Sequence, residues 1–351
     1  MSFDFDAAVQ APHRMQPGLR RLAPGALQLT PAVEPHRGVS RHLREKLAVL
    51  WAYRDQALLC RPDFDPGPAL AQLAAQAERE HPQALRIQGQ HWLAPDLGWA
   101  LDDALRPQPI GRDWPEVGSL LAEIAPHWRR AALLCLALAE DFAILDGDSG
   151  TLPWLAVALP SSWAPETKIG RHFNEVHGPV ADPAALLAAA PQLIRLVTGP
   201  DRFERFVWTL TPHPRLHAHP QRLDPARWTP GLDDAQLAAQ TWWRTERQTF
   251  IPVPARRGAG PQAVFTLKVE VTPLARALQG PAQAARLHAA LASMSAAVLA
   301  YRGLSTVQAG LLRWLARRAE GHQEAAGHQE AAGHQAALGD HRAAGDPAAL
   351  P

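Results

Sequence analysis

The chain has 351 residues and a formal net charge of +1, and no Lys/Arg run interleaved with aromatics occurs in it. That length can bury a full core, and that charge balance disfavours nucleic-acid binding. Its two cysteines, Cys60 and Cys135, stand far apart in apolar helical contexts with no C-x-x-C or C-x-x-C-H spacing, which excludes a disulfide framework, a cysteine-only zinc or iron–sulfur site and covalent haem attachment.

In chain order, the start MSFDFDAAVQ carries acids where an export signal would carry positive charge. The longest apolar run, Ala131–Ala139, is broken by Glu140 and Asp141. A cytoplasmic, reduced protein with no membrane span is expected. Residues 1–40 are rich in Pro and Gly and predict an irregular arm lying along a domain. Arg41–Cys60 reads as an amphipathic helix started by Ser40, and Ala69–Glu80 as a second, so residues 41–130 form a helical layer packed on the core. Residues 83–115 show no sustained period and are expected as loop with short strands. A helix over Leu120–Leu138 leads into a hairpin, Asp141–Leu145 and Leu152–Leu159, joined by the D-G turn at Asp146–Gly150.

The segment SSWAPETKIGRHFNEVHGPV opens with the helix-start residues Ser162 and Pro165 and stops at Gly178–Pro179. Asp182–Val197 is another helix. Strands follow at Phe203–Leu210, Thr241–Phe250 and Val264–Val271, the last alternating cleanly between apolar and polar. The order strand, strand, helices, strand, strand, strand predicts an α+β fold: a PAS-like antiparallel sheet over 131–275, with helices inserted after its second strand. Helices at 281–302 and 305–318, the latter capped by Ser305, make residues 276–318 a supporting unit. The tail 319–351 repeats GHQEAA, with His322, His328 and His334 every six residues, and reads as disordered, not metal-binding.

Within this frame TWWRTERQTF, Thr241–Phe250, refuses to sort into one apolar and one polar face. Arg244, Glu246 and Gln248 point one way; Thr245, Arg247 and Thr249 point the other. If it pairs with Val264–Val271 across ARRGAGPQ, a polar row shares a sheet surface with Phe265, Leu267, Val269 and Val271. Burying such charges is costly unless they are paired, so Arg244 and Glu246 are expected to pair with each other, as a structural ion pair or as part of a site.

The histidines offer two candidate ligands. His177 ends its predicted helix before Gly178–Pro179, at the negative end of the helix dipole, where it is either a cap or a good donor to a metal. In TPHPRLHAHP, His217 and His219 are expected to point the same way beside His213, on a loop that is otherwise solvated. No zincin spacing, G-x-S-x-G elbow or phosphate-cradling glycine loop is present.

Taken together, HRMQPGLRRL, LREKLAVLWAYRDQALL, LAEDFAIL, LPSSWAPETKIGRHFNEVHGPV, Arg205 with Trp208, WRTERQTFIPVP and VFTLKVEV resemble the haem-dependent oxidative N-demethylase family, alpha-subunit-like, over about residues 10–318. The resemblance implies haem b, O2 as co-substrate, and oxidative removal of a methyl group from a small secondary amine such as dimethylamine. It implies a cytoplasmic amine-catabolic monooxygenase whose electrons come from separate flavin and iron–sulfur reductase partners. His177 is the implied axial ligand and His217 the alternative. Lys168, Arg247 and Trp208 are implied in cofactor binding, and Glu246 and Arg244 in catalysis. Val207, Lys268 and Glu270 depart from the family pattern, which has Asn, Arg and Tyr there. The competing expectation is a PAS-like sensor or binding module that holds haem or a small ligand without turnover.

Overall fold

The computed structural model describes residues 3–34, 38–111, 114–222, 228–256 and 258–321. The histidine repeat at His322, His328 and His334 lies outside them. The fold is α+β, built on a seven-stranded antiparallel sheet whose centre is made by five core strands. In chain order these are Asp141–Asp146, Trp154–Ala156, Phe203–Thr211, Trp242–Val253 and Gln262–Pro273. Across the sheet they run third, fourth, fifth, first, second, with Arg20–Arg21 beside the third and Leu58–Cys60 beside the second.

The fourth and fifth core strands pair along their full length, from Trp242 opposite Pro273 to Val253 opposite Gln262. This register sets Arg244 beside Val271, Glu246 beside Val269 and Gln248 beside Leu267. A polar row therefore does share a surface with the apolar row, as the alternation predicts. The third strand continues the row on the other side, with Thr209 opposite Arg244, Val207 opposite Glu246 and Arg205 opposite Gln248. Directly opposed residues of an antiparallel pair share a face, so these side chains project together. The segment between the second and third strands supplies a 3-10 turn at Pro165–Thr167 and helices at Phe173–His177, Ala184–Ala188 and Ala190–Val197.

The opposite face meets the helical layer. The helix Arg41–Ala57 starts where Ser40 Oγ accepts from the Leu43 amide, and buries Leu43, Val49 and Leu50. These pack with Leu73, Leu120 and Leu133 against Phe142, Ile144, Trp154 and Ile251 of the sheet. Further along the same strands, helices Pro281–Ala292, Ala296–Tyr301 and Gln308–Ala319 bury Leu287, Leu291, Leu311 and Trp314 against Trp208, Leu210 and Trp243. Burying a Leu or Phe side chain contributes roughly 1.5–3 kcal/mol, so these two clusters supply most of the driving force.

Several element boundaries differ from expectation. The helix expected to reach Cys60 ends at Ala57, because Leu58–Cys60 pairs with Trp154–Ala156 at the sheet edge. The helix expected over Leu120–Leu138 is two, Pro115–Glu123 and Arg129–Ala137, since Pro126 between them has no amide proton to continue the ladder. The 182–197 helix breaks at Ala189, before Pro191, and the 281–302 helix breaks before Ser295, whose hydroxyl caps the next one. Val307, not Ser305, is the N-cap of the last helix. Residues 83–115 hold a four-stranded antiparallel sheet, Arg86–Gln88, His91–Ala94, Trp99–Leu101 and Pro107–Pro109.

Candidate functional site

The polar row of the fourth strand faces the inserted helices, and its residues have different fates. Arg244, 2 % exposed, donates to Ser161 Oγ at 2.8 Å and to the carbonyls of Arg215, Leu216 and Pro160 at 2.6–3.2 Å. It is a tie between the loops at 160–161 and 215–216. No ion pair joins it to Glu246, correcting the expected pairing: backbone carbonyls already fill its donors, and the two side chains interact only through space. Burial lowers the Arg244 pKa to about 10, while Glu246 and Glu45 act to raise it. Glu246 is buried, and its one hydrogen-bond partner among the described residues is the Gln248 amide, at 2.6 Å.

Arg205 completes this polar group. Its Nε is buried without a hydrogen-bond partner. Burial lowers its pKa, and only the charge of Glu246 opposes that. A guanidinium so placed is a ready donor to an anionic group.

His177 stands above Arg205 and Lys168 at the end of Phe173–His177. That helix is much shorter than the 162–178 pattern predicts, because Gly170 adopts φ +70° and turns the chain. It restarts at His172, which accepts from the Asn174 amide while Glu175 reaches back to the His172 amide. Placement of His177 at its last turn fits the expected cap position. The Nδ1–H donates to the Phe173 carbonyl at 2.9 Å, which fixes the tautomer and leaves Nε2 as a free lone pair. Burial pushes its pKa down to about 4, and the charges of Arg205 and Lys168 push the same way. Lys168 donates to the Val176 carbonyl at 3.0 Å, and burial lowers its pKa too.

Beside this group the sheet face is apolar and incompletely covered. Ala143, Leu155 and Val157 are buried, whereas Leu59, Leu152, Trp163, Ile169 and Phe265 around them remain partly exposed. Phe265 stacks on Phe250 at 4.9 Å between centroids.

The chain matches the model of the family described as haem-dependent oxidative N-demethylase, alpha subunit-like, over residues 122–312, more than half its length. It belongs to this family. The match spans all five core strands, the inserted helices and most of the C-terminal ones, so every residue of the group around His177 falls inside it. The family's description names a haem-dependent enzyme and, through the words alpha subunit, one of several chains.

The residues present fit a haem of the N-demethylase family. Haem iron takes one imidazole with a free lone pair, the porphyrin needs an apolar bed, and its carboxylates need cations. His177 Nε2, the apolar face around Phe265, and Arg205 with Lys168 are the residues that would answer these in turn. Among the described residues no group of three or more His, Cys, Asp or Glu could hold a metal ion, and no helix is long and apolar enough to cross a membrane.

Other residues singled out from the sequence fall elsewhere. Arg247 and Trp208 sit on the opposite sheet face: Arg247 pairs with Glu204 at 2.9 Å, and Trp208 stacks on Trp243 at 4.9 Å with its Nε1 donating to the Ala8 carbonyl. Neither can share a pocket with His177, because adjacent strand residues alternate sides. His217 is also apart. Its Nδ1–H donates to the Ala158 carbonyl at 2.7 Å, and its Nε2 is buried without a partner. Its ring lies between Tyr53 and His219, stacked at 6.4 and 6.1 Å, so the two histidines do share an orientation. His219, however, is engaged with Glu166 at 3.0 Å.

Sequence reading passed over Arg205 as a site residue and took Gln248 only as part of a polar face. The period-two pattern could place Gln248 beside Glu246, but only the register of two strands about forty residues apart brings Arg205 to them.

Proposed function

We propose that this protein is a haem-dependent monooxygenase that removes a methyl group from a small secondary amine, with O2 and electrons from separate flavin and iron–sulfur reductase partners. The observation that carries this reading is His177: a neutral imidazole with Nδ1–H held by a backbone carbonyl and Nε2 free, beside two cations and an open apolar face. It supports His177 as the axial ligand of a non-covalently bound haem b, which would supply oxygen activation when bound.

The remaining roles follow from charge and position. Arg205 and Lys168 suit the haem carboxylates, Arg205 best because its buried Nε lacks an acceptor. Glu246 suits the substrate ammonium, because its carboxylate is satisfied by one neutral amide and sits opposite the small apolar Val207. Arg244 supports the wall behind Glu246 without touching substrate. A PAS-like reading of the fold is supported by the strand order, in which the first and fifth strands are central neighbours and helices are inserted after the second. A cytoplasmic setting agrees with two unpaired cysteines, of which Cys135 is buried and its thiol pushed up to about 12 by that burial.

The protein expressed with haem supplied is expected to show a stoichiometric Soret band that is lost in His177→Ala and kept in His217→Ala. Dimethylamine should shift that band in wild type but not in Glu246→Gln. Loss only in His217→Ala would move the ligand to the 213–219 loop, where His217 Nε2 is buried without a partner. No Soret band in folded wild type would overturn the haem reading.

A further inference from the structure

A cavity of about 840 Å3 lies on the other face of the sheet from His177, under the N-terminal arm. Phe206 and Trp243 form its wall and the arm residues Phe3 and Phe5 its roof. Thr245 and Arg247 form its floor. Among the described residues no histidine lines it, so these offer haem iron no imidazole, and it stands apart from the site proposed above. Its volume lies within the range of small-molecule sites and far exceeds that of a bare inorganic ion.

Its charges are unevenly satisfied, and the imbalance names the ligand. Every carboxylate that lines it already has a cation. Glu204 takes Arg20 at 2.8 Å and Arg247 at 2.9 Å. Asp4 takes Arg20 at 2.7 Å, Asp6 takes Arg286, and Glu270 takes Lys268 at 3.0 Å. The lining cations are not all used. Arg276 has no acidic partner among the described residues, and Arg247, 8 % exposed, spends Nε and NH2 on Glu204 and the Leu27 carbonyl while NH1 has no acceptor among the described residues. Thr245 is a buried residue of the lining, and its hydroxyl has no hydrogen-bond partner among the described residues. The spare capacity is a rim guanidinium, a floor guanidinium N–H and a hydroxyl, against an aromatic wall. Guanidinium N–H groups left over in a cavity whose carboxylates are already paired favour an anion with planar oxygens, and the wall selects an apolar body behind it.

We infer that this cavity is a second ligand site, separate from the residues around His177, which takes a small carboxylic acid with an apolar, ring-sized body. The acid's oxygens accept from Arg247, Thr245 and Arg276, and its body lies against Phe206 and the arm residues Phe3 and Phe5, which are only partly buried.

The test is calorimetric titration of the haem-loaded full chain with phenylacetate and, as its cationic counterpart, phenethylamine. Phenylacetate is expected to bind, and Arg276→Glu and Thr245→Val each to weaken it about tenfold, the loss of one hydrogen bond to a charged group. His177→Ala, which removes the Soret band under the haem reading, should bind phenylacetate as wild type does, so the two proposals fail separately. Arg276 is exposed, so its replacement leaves the core intact. Absence of phenylacetate binding at millimolar concentration, wild-type affinity in either variant, loss of binding in His177→Ala, or phenethylamine binding that weakens on Thr245→Val would each overturn the inference.

Discussion

At the scale of single residues, the chain keeps an imidazole neutral in a charged neighbourhood. Burial disfavours the imidazolium of His177, Arg205 and Lys168 repel it, and the Phe173 carbonyl spends the Nδ1 proton, leaving Nε2 as the one free lone pair. The same burial holds His13 and His213 at about 4. Histidines in an unfolded chain take up protons near pH 6.5, and these three in the folded chain do not do so until about pH 4. The unfolded state therefore binds more protons across that window, so the contribution of these groups to stability is complete above pH 6.5 and is lost as pH falls toward 4. Urea midpoints of the haem-free protein should fall from pH 7 to pH 5, and His177→Gln should make that fall shallower. A midpoint independent of pH across this range would contradict the burial assigned to all three. Sequence gave the position of His177 at a helix end before Gly178–Pro179, but its pKa depends on Arg205 and Lys168, which no spacing brings beside it.

At the scale of elements, the hairpin between the first two core strands sets where the inserted helices begin. Gly150 closes its turn at φ +64°, and a Cβ there would meet His172 Nε2 at 2.7 Å and Ile194 Cδ1 at 2.8 Å. The turn is thus clamped between two parts of the insertion, one of them the N-cap of the helix that carries His177. Gly150→Ala should cost about 2 kcal/mol from the left-handed backbone alone, with the clash in addition. It should also lower haem retention; a thermal midpoint shift without change in the Soret band would show that the hairpin does not position His177. The D-G signal made this hairpin legible. The shortness of the following helix was not, because Gly170 can sit inside a helix at modest cost, and only its bond to the Leu152 carbonyl commits it to the turn.

At the scale of the whole molecule, a buried charge pair crosses the boundary between the helical layer and the sheet, so the two should unfold together. Lys46 is fully buried, with Nζ 3.2 Å from Asp141 Oδ1 and donating to the carbonyls of Leu138 and Glu140. Gln28 of the arm, also fully buried, donates to Thr249 Oγ1 at 3.1 Å and to the Phe250 carbonyl at 2.9 Å. Removing one partner of a buried pair leaves the other charge uncompensated and costs roughly 3–5 kcal/mol. Lys46→Met should lower the unfolding free energy by that amount, read from urea titration as a single transition probed equally by far-ultraviolet dichroism and tryptophan fluorescence. Two separated transitions would show the layer and sheet to unfold independently.

The sequence alone determined the α+β class, the five core strands, the doubly polar character of Trp242–Val253 and the family, because periodicity, turn residues and local motifs are properties of neighbouring positions. Only the tertiary structure decided which polar residues meet. Strand alternation puts Arg244 and Glu246 on one face, yet whether they pair depends on carbonyls at 160, 215 and 216 that fill the arginine first. Alternation likewise separates Arg247 from His177, but it takes the covering of both faces, by inserted helices on one and by the arm on the other, to make one strand a wall of both the proposed haem site and the inferred second cavity site. Those coverings join residues distant in the chain, and the free energy that selects them is burial summed over whole elements, which no local pattern records.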